Sequence, residues 1–264
     1  MLEFTLLGPL GAHGGDRPVQ LTSAKIKQVC ALLLVDSPRV VDVGRIVAEL
    51  WPTRPPKSAV STVHTYLYLI RKQLAEHVED VNKLVATVSN GYVMTIDPQA
   101  VDAYRFEQCV RDGRVLLDEG RAADASAKFD QALAMWRGSA LVDVRGGPLL
   151  DAEAIRLEGL REAALELRVQ ADLVQERLAE AIPELQALVR RYPLRERFHQ
   201  QLVAALNRAG RRADALIAYR HTCRVLNEEL GLEPSYELRR LHHLVLTGAP
   251  VGTGEAAIGR PSPL

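Results

Sequence analysis

Residues 55–74 read PPKSAVSTVHTYLYLIRKQL, and this stretch decides the fold. Val60, Val63, Leu67, Ile70 and Leu74 recur at spacings of three and four, which predicts a helix with one buried stripe, from near Pro56 to about Ala75. The opposite face carries Ser58, Ser61, Thr62, His64, Thr65, Tyr68, Arg71 and Lys72, all hydrogen-bonding or cationic groups of moderate length. From Leu50 to Ala75 there is no acid, while Arg54, Lys57, Arg71 and Lys72 make a local charge of +4. Such a surface suits base edges in a major groove, with Arg and Lys reaching phosphates or guanine. A polar helix face is usually only solvated, so the surroundings must separate the two readings.

Upstream, Leu2, Phe4 and Leu6 alternate as in a strand, and GAHGGDRP followed by VQL at 19–21 is consistent with a hairpin. Thr22 or Ser23 can cap a helix to about Val35 whose apolar face is Ile26, Val29, Cys30, Leu33 and Leu34. Asp42 caps a second helix with Val43, Ile46, Val47 and Leu50 inward, and Trp51-Pro52 ends it. Downstream, LVATV, SNGY and VMTI read as two strands around a tight turn at Asn90-Gly91, both tolerant of positive φ. Sheet, three helices and a terminal hairpin is the element order of a winged helix-turn-helix, expected over residues 1–97. Free N–H groups at the starts of the second and third helices can meet phosphates, with Ser23 and Lys25 adding to them. About five neutralised phosphates would give a slope near −4.5 of log affinity on log salt.

Beyond a proline-containing linker at DPQAVD, 97–102, residues 101–246 are helical in pattern throughout. GRAADASAKF at 120–129, ERLAEAIPEL at 176–185 and GRRADALIAY at 210–219 resemble one another. The last two start 34 residues apart, the tetratricopeptide period, although the first two start 56 apart. Ala123, Ala179 and Ala213 are equivalent, as are Ala125, Ala181 and Ala215, and small residues there let paired helices approach closely. Such repeats bury their apolar faces only by stacking. The fold class expected is therefore mainly α, with a small α+β winged-helix domain before a tetratricopeptide-like domain. The Gly- and Pro-rich segment 247–264 is expected to be a disordered tail.

The 264 residues hold 33 Lys plus Arg and 33 Asp plus Glu, so the whole chain does not advertise nucleic-acid binding and any such case is local. Cys30, Cys109 and Cys223 form no CxxC pair, which suggests neither zinc nor a disulfide framework, and core packing is their expected role. No apolar run is long enough to span a membrane, and the N-terminus lacks the basic region of a signal peptide, so the cytoplasm is the expected location. The adjacent His242 and His243 point in different directions on a helix, poor geometry for a metal. There is neither a G-x-x-x-x-G-K-S/T phosphate loop nor a G-x-S-x-G elbow, and HGG at 13–15 lies in a turn. No catalytic residue, metal or cofactor is expected, and the chain does not read as an enzyme.

The segment from Thr22 to Leu74 resembles the OmpR-type winged-helix domain, in which the third helix enters the major groove and the terminal hairpin is the wing. The second half resembles the bacterial transcriptional activator domain in VDAYRFEQ at 101–108, ALAMWRGSAL at 132–141, EAIRLEGLRE at 153–162, the run from Tyr192 to Tyr219 and LNEELGLEPSYELRRLHHLVL at 226–246. The pair is the architecture of the Streptomyces antibiotic regulatory protein family. That resemblance implies an activator of biosynthetic gene clusters that binds direct repeats in promoter DNA, self-associates there, and recruits RNA polymerase through contacts including the sigma factor. It puts Lys57, Ser61, Thr62, His64, Thr65, Arg71 and Lys72 on the recognition helix, and Asn90 and Tyr92 on the wing. His64 stands where many members carry Gln, which changes the donor and acceptor set at that position. Larger members continue into a nucleotide-binding ATPase module, and this chain is expected to be a small member without one or a receiver domain. Two other readings stay open: a helical scaffold whose winged helix binds protein, and a ligand-responsive repressor with a pocket among the repeats.

Overall fold

A computed structural model describes residues 2–15, 17–21, 23–144 and 146–248. The chain forms two compact units, Met1–Arg111 with Gln131–Glu162, and Asp112–Asp130 with Ala163–Leu264. The candidate cap Thr22 and most of the expected tail lie outside the described residues.

In the first unit, β1 (Leu2–Thr5), β2 (Gly11–Gly14) and β3 (Arg17–Pro18) form an antiparallel sheet in that order, with Leu2 opposite Gly14. Leu2 and Phe4 are buried and Glu3 exposed, the alternation the sequence shows. The expected strand at 19–21 lies just past β3, where Val19 N–H still donates to the Ala12 carbonyl at 2.8 Å. Helix α1 (Ala24–Val35) is capped by Ser23, whose Oγ accepts the Ile26 N–H at 3.3 Å. After β4 (Val41–Asp42), helix α2 (Val43–Leu50) is capped by Asp42, which accepts the Arg45 N–H at 2.9 Å. These side-chain oxygens satisfy donors that the helix itself leaves unpaired.

Helix α3 (Ala59–Leu74) starts three residues later than expected. Ala59 takes the first buried position, with Val63, Leu67, Ile70 and Leu74 following. Val60 is one step around the helix from that stripe and is 53% exposed, so it leaves the expected core.

Helix α4 (Val81–Leu84) leads into β5 (Val85–Val88) and β6 (Gly91–Met94), which pair with β4 in the order β4-β6-β5. Val88 lies opposite Gly91, so the tight turn is Ser89-Asn90, one residue earlier than expected, and neither Asn90 nor Gly91 adopts positive φ. Glycine is required at 91 for another reason. A Cβ there would stand 2.4 Å from the Val41 carbonyl oxygen, because β4 crosses so closely.

The first unit also takes in the start of α5 (Asp102–Asp118), the end of α6 (Ala122–Leu133) and the start of α7 (Pro148–Val174). Phe4 bridges to Val101, and the Phe106 and Trp136 rings meet edge to face at 5.4 Å. Asp102 accepts the Leu6 and Leu7 N–H groups at 2.6 and 3.2 Å and pairs with Arg137 at 2.7 Å. Glu49, 1% exposed, accepts the N–H groups of Leu149 and Leu150 in the first turn of α7 at 2.8 and 3.0 Å.

In the second unit, α8 (Leu178–Arg191), α9 (Glu196–Arg208), α10 (Arg212–Leu230) and α11 (Tyr236–Thr247) bury Leu185, Phe198, Leu202, Leu206, Ala215, Leu238 and Val245 in one core. The three similar stretches share one turn. Gly120, Glu176 and Gly210 have φ of 77°, 58° and 75°, an Arg follows each, and α6, α8 and α10 begin next. Ala125, Ala181 and Ala215 are buried as expected, whereas Ala123, Ala179 and Ala213 are exposed. Close approach therefore needs a small residue at only one of the two positions.

A Cβ at Gly210 would meet nothing within 4 Å, so only backbone strain opposes a side chain there. Gly210→Ala is expected to destabilise this unit by about 1 kcal/mol, read as a lower urea midpoint at constant slope. An unchanged midpoint would mean the turn relaxes out of the left-handed region.

Cys30 and Cys109 are buried, and burial pushes the Cys30 thiol up to about 12, which leaves it inert as a nucleophile.

Candidate nucleic-acid interface

The buried stripe of α3 fixes which of its residues face outward. Ser61, His64, Thr65, Tyr68 and Lys72 are exposed, Thr62 is half-buried, Tyr68 is 64% exposed, and Lys57 and Ser58 just before the helix are exposed as well. The Ser61 and Thr62 hydroxyls each donate to the Ser58 carbonyl at 2.9 Å, and the Thr65 hydroxyl donates to the Ser61 carbonyl at 3.1 Å. With hydrogens turned onto the helix, these oxygens offer lone pairs to whatever approaches, and Ser61 and Thr62 share a single carbonyl.

The cations divide into two sets. Among the described residues, Arg54, Lys57 and Lys72 are exposed and no ion pair or hydrogen bond holds their side chains. Arg71 is different. Its Nε and Nη2 donate to the Val85 carbonyl at 2.9 and 2.7 Å, and Nη2 also donates to Thr87 Oγ1 at 2.8 Å. Its guanidinium lies 5.7 Å from the Tyr92 ring centroid. Lys25, expected to face phosphate, donates from Nζ to the Leu50 carbonyl and to Gln28 Oε1 and lies 5.9 Å from the Trp51 ring. Tyr92, expected on the wing surface, is only 7% exposed and meets His64 edge to face at 6.3 Å.

Asn90 is exposed in the turn of the hairpin, while its carbonyl accepts the Val43 N–H at 3.2 Å. Ser23 is exposed, with its oxygen engaged as the α1 cap. The sequence reading thus found the outward face of α3 but missed Val85, Thr87 and Glu49. A backbone acceptor leaves no mark on residue type, and Glu49 reads as an ordinary helix acid. Among the described residues no cluster of His, Cys, Asp or Glu could hold a metal, and no helix is long and apolar enough to cross a membrane.

A winged helix joined to an α-helical domain, with an acid-free outward face on its third helix, is the build of a transcriptional regulator. Comparison with known proteins agrees. The bacterial transcriptional activator domain matches residues 101–246. Regulatory protein DnrI of Streptomyces peucetius is 38% identical over 254 residues, covering 94% of this chain and 93% of its own. Transcriptional regulator RedD of Streptomyces coelicolor is 35% identical over 263 residues, covering 98% of this chain and 74% of its own. The solved structure of Mycobacterium tuberculosis EmbR in complex with a low-affinity phosphopeptide superposes with a TM-score of 0.93 at 32% identity, over 97% of this chain and 68% of that one. The chain belongs to the Streptomyces antibiotic regulatory protein family of transcriptional regulators.

Proposed function

We propose that this regulator activates transcription by binding double-stranded promoter DNA with α3 in the major groove. The observation that carries this reading is the outward face of α3 with the segment leading into it, where Lys72 on the helix and Arg54 and Lys57 just before it are held by no acid among the described residues while the helix's apolar side is buried. Cations left without protein partners are suited to phosphates. Ser61, Thr62, His64, Thr65 and Tyr68 lie between them, at the length that base edges require. The lone pairs of Ser61, Thr62 and Thr65 match the exocyclic amino groups of adenine or cytosine. Asn90 at the hairpin turn, and Ser23 at the start of α1, extend the footprint along the backbone.

A single winged helix covers a short site, so two protomers bind adjacent direct repeats and gain affinity through effective concentration. The helical domain supplies the surface for the second protomer and for RNA polymerase with its sigma factor. The regulated genes are those of an antibiotic or similar secondary-metabolite cluster, and the protein acts in the cytoplasm, on the nucleoid.

With Lys25 and Arg71 engaged within the protein, three cations remain where five phosphate contacts were expected, so the slope of log affinity on log salt should be nearer −3 per protomer. Fluorescence anisotropy with duplexes from the neighbouring promoters tests this. Joint replacement of Lys57 and Lys72 by Ala is expected to weaken binding uniformly across sequences and to flatten the slope by about 2. An unchanged slope would take α3 off the DNA.

A further inference from the structure

We infer that Arg71 is a positioning residue, which locks the wing to the recognition helix and makes no contact with DNA of its own. This rests on the DNA-binding reading above and names the device that sets its geometry. Three observations converge on it. The guanidinium places two N–H groups on one carbonyl of β5, that of Val85, and a further one on Thr87 Oγ1 of the same strand. The same group lies over the Tyr92 ring of β6 at 5.7 Å. His64, two turns earlier on α3, meets that ring from its edge at 6.3 Å. Both strands of the wing are therefore tied to one edge of α3 through a single planar cation and a single buried ring.

The chemistry of the group suits the task. A guanidinium presents several donors in a fixed fork and stacks on an aromatic face at the same time, whereas an ammonium is a compact charge that cannot do both. A donor already bonded to the Val85 carbonyl would have to leave it to reach a phosphate. Lys72, the next residue, has no such commitments among the described residues and faces outward. Neighbouring cations on one helix thus have separate tasks, one toward nucleic acid and one toward the wing.

The consequence is a preorganised pair of contacts. If the wing were free to swing, each binding event would have to fix its angle, and the second contact would lose its effective concentration.

The test compares Arg71→Lys, Arg71→Ala, Tyr92→Leu and the Arg71→Ala/Tyr92→Leu pair with wild type. Promoter affinity is measured on the folded, active fraction, together with hydroxyl-radical footprints. Arg71→Lys is expected to bind as poorly as Arg71→Ala, about tenfold to a hundredfold below wild type, the scale set by losing a tethered second contact. Protection at the wing side of the site should vanish while protection under α3 persists. Tyr92→Leu should give a similar loss, and the pair should be no worse than either alone. A merely structural role would lower the active fraction and leave Kd and footprint unchanged, which would overturn the inference. So would a Lys variant that retains affinity, or single losses that add. Wild-type protein that binds no promoter duplex would instead remove the DNA-binding reading, and this inference with it.

Discussion

Asp102→Ala is expected to destabilise the first unit by about 3–5 kcal/mol, the range for breaking a buried charged hydrogen-bond set by removing one partner. Its carboxylate accepts the Leu6 and Leu7 N–H groups and pairs with Arg137. Leu6 and Leu7 are buried, so their N–H groups would find no water, at about 1–3 kcal/mol each. The Arg137 side chain is 43% exposed and can be resolvated, so the backbone donors dominate the loss. Arg137 also bonds through its own N–H to the Leu7 carbonyl at 2.8 Å, which would keep part of the joint. Calorimetry should show an unfolding midpoint lower by roughly 10 °C. A shift within error would mean the end of β1 has other acceptors. Burial pushes the Asp102 carboxyl above the ordinary range, against the pull of Leu6, Leu7 and Arg137. A carboxyl raised in the fold holds its proton more tightly folded than unfolded. The pH-dependent part of stability linked to that proton is therefore fully present below the unfolded pKa and lost as pH rises through the raised one, separately from the backbone hydrogen bonds that truncation removes.

What could be read from the sequence follows a physical line. The stripe of α3, the caps Ser23 and Asp42, and the alternation in β1 are local patterns, set by residues three or four apart or by every second residue. They were legible, and so was the exposed hydroxyl-rich face between them. Val60 falls outside the buried stripe because a stripe's phase depends on where the helix begins, and Ala59 is too small to stand out in the sequence as its first member. The hairpin is legible, but the reason for Gly91 is not, since the nearness of β4 is a tertiary fact. The division of the cations was illegible for the same reason. Arg71 and Lys72 are neighbours of like charge, and only the fold brings the Val85 carbonyl to one of them. Asp102 reads as the end of a linker and Glu49 as an ordinary helix acid, because nothing local reveals that a distant backbone needs an acceptor.

Glu49→Ala is expected to lower promoter affinity without touching α3, alongside a loss of about 2–4 kcal/mol in the stability of the first unit. The Glu49 carboxylate takes the N–H groups of Leu149 and Leu150, two of the donors that the first turn of α7 cannot satisfy itself. A negative charge at that end is also favoured by the helix dipole. The approach is so close that a Cβ on Gly147 would come within 2.2 Å of Glu49 Oε1, so no larger residue fits at 147. The same stretch of α2 is held from the other side, where Gln28 Nε2 donates to the Glu49 carbonyl at 3.1 Å and Lys25 Nζ to that of Leu50. Leu50 is followed directly by the segment that carries Arg54 and Lys57 into α3, so slack in α2 would shift the two cations proposed to meet phosphate. Gly147→Ala should therefore reproduce the effect of Glu49→Ala, and the two together should cost less than their sum, because each breaks the same contact. Anisotropy measured on the folded fraction separates affinity from stability. If Glu49→Ala lowers the unfolding midpoint but leaves Kd and the salt slope at wild-type values, the seating of α2 on α7 has no part in presenting α3.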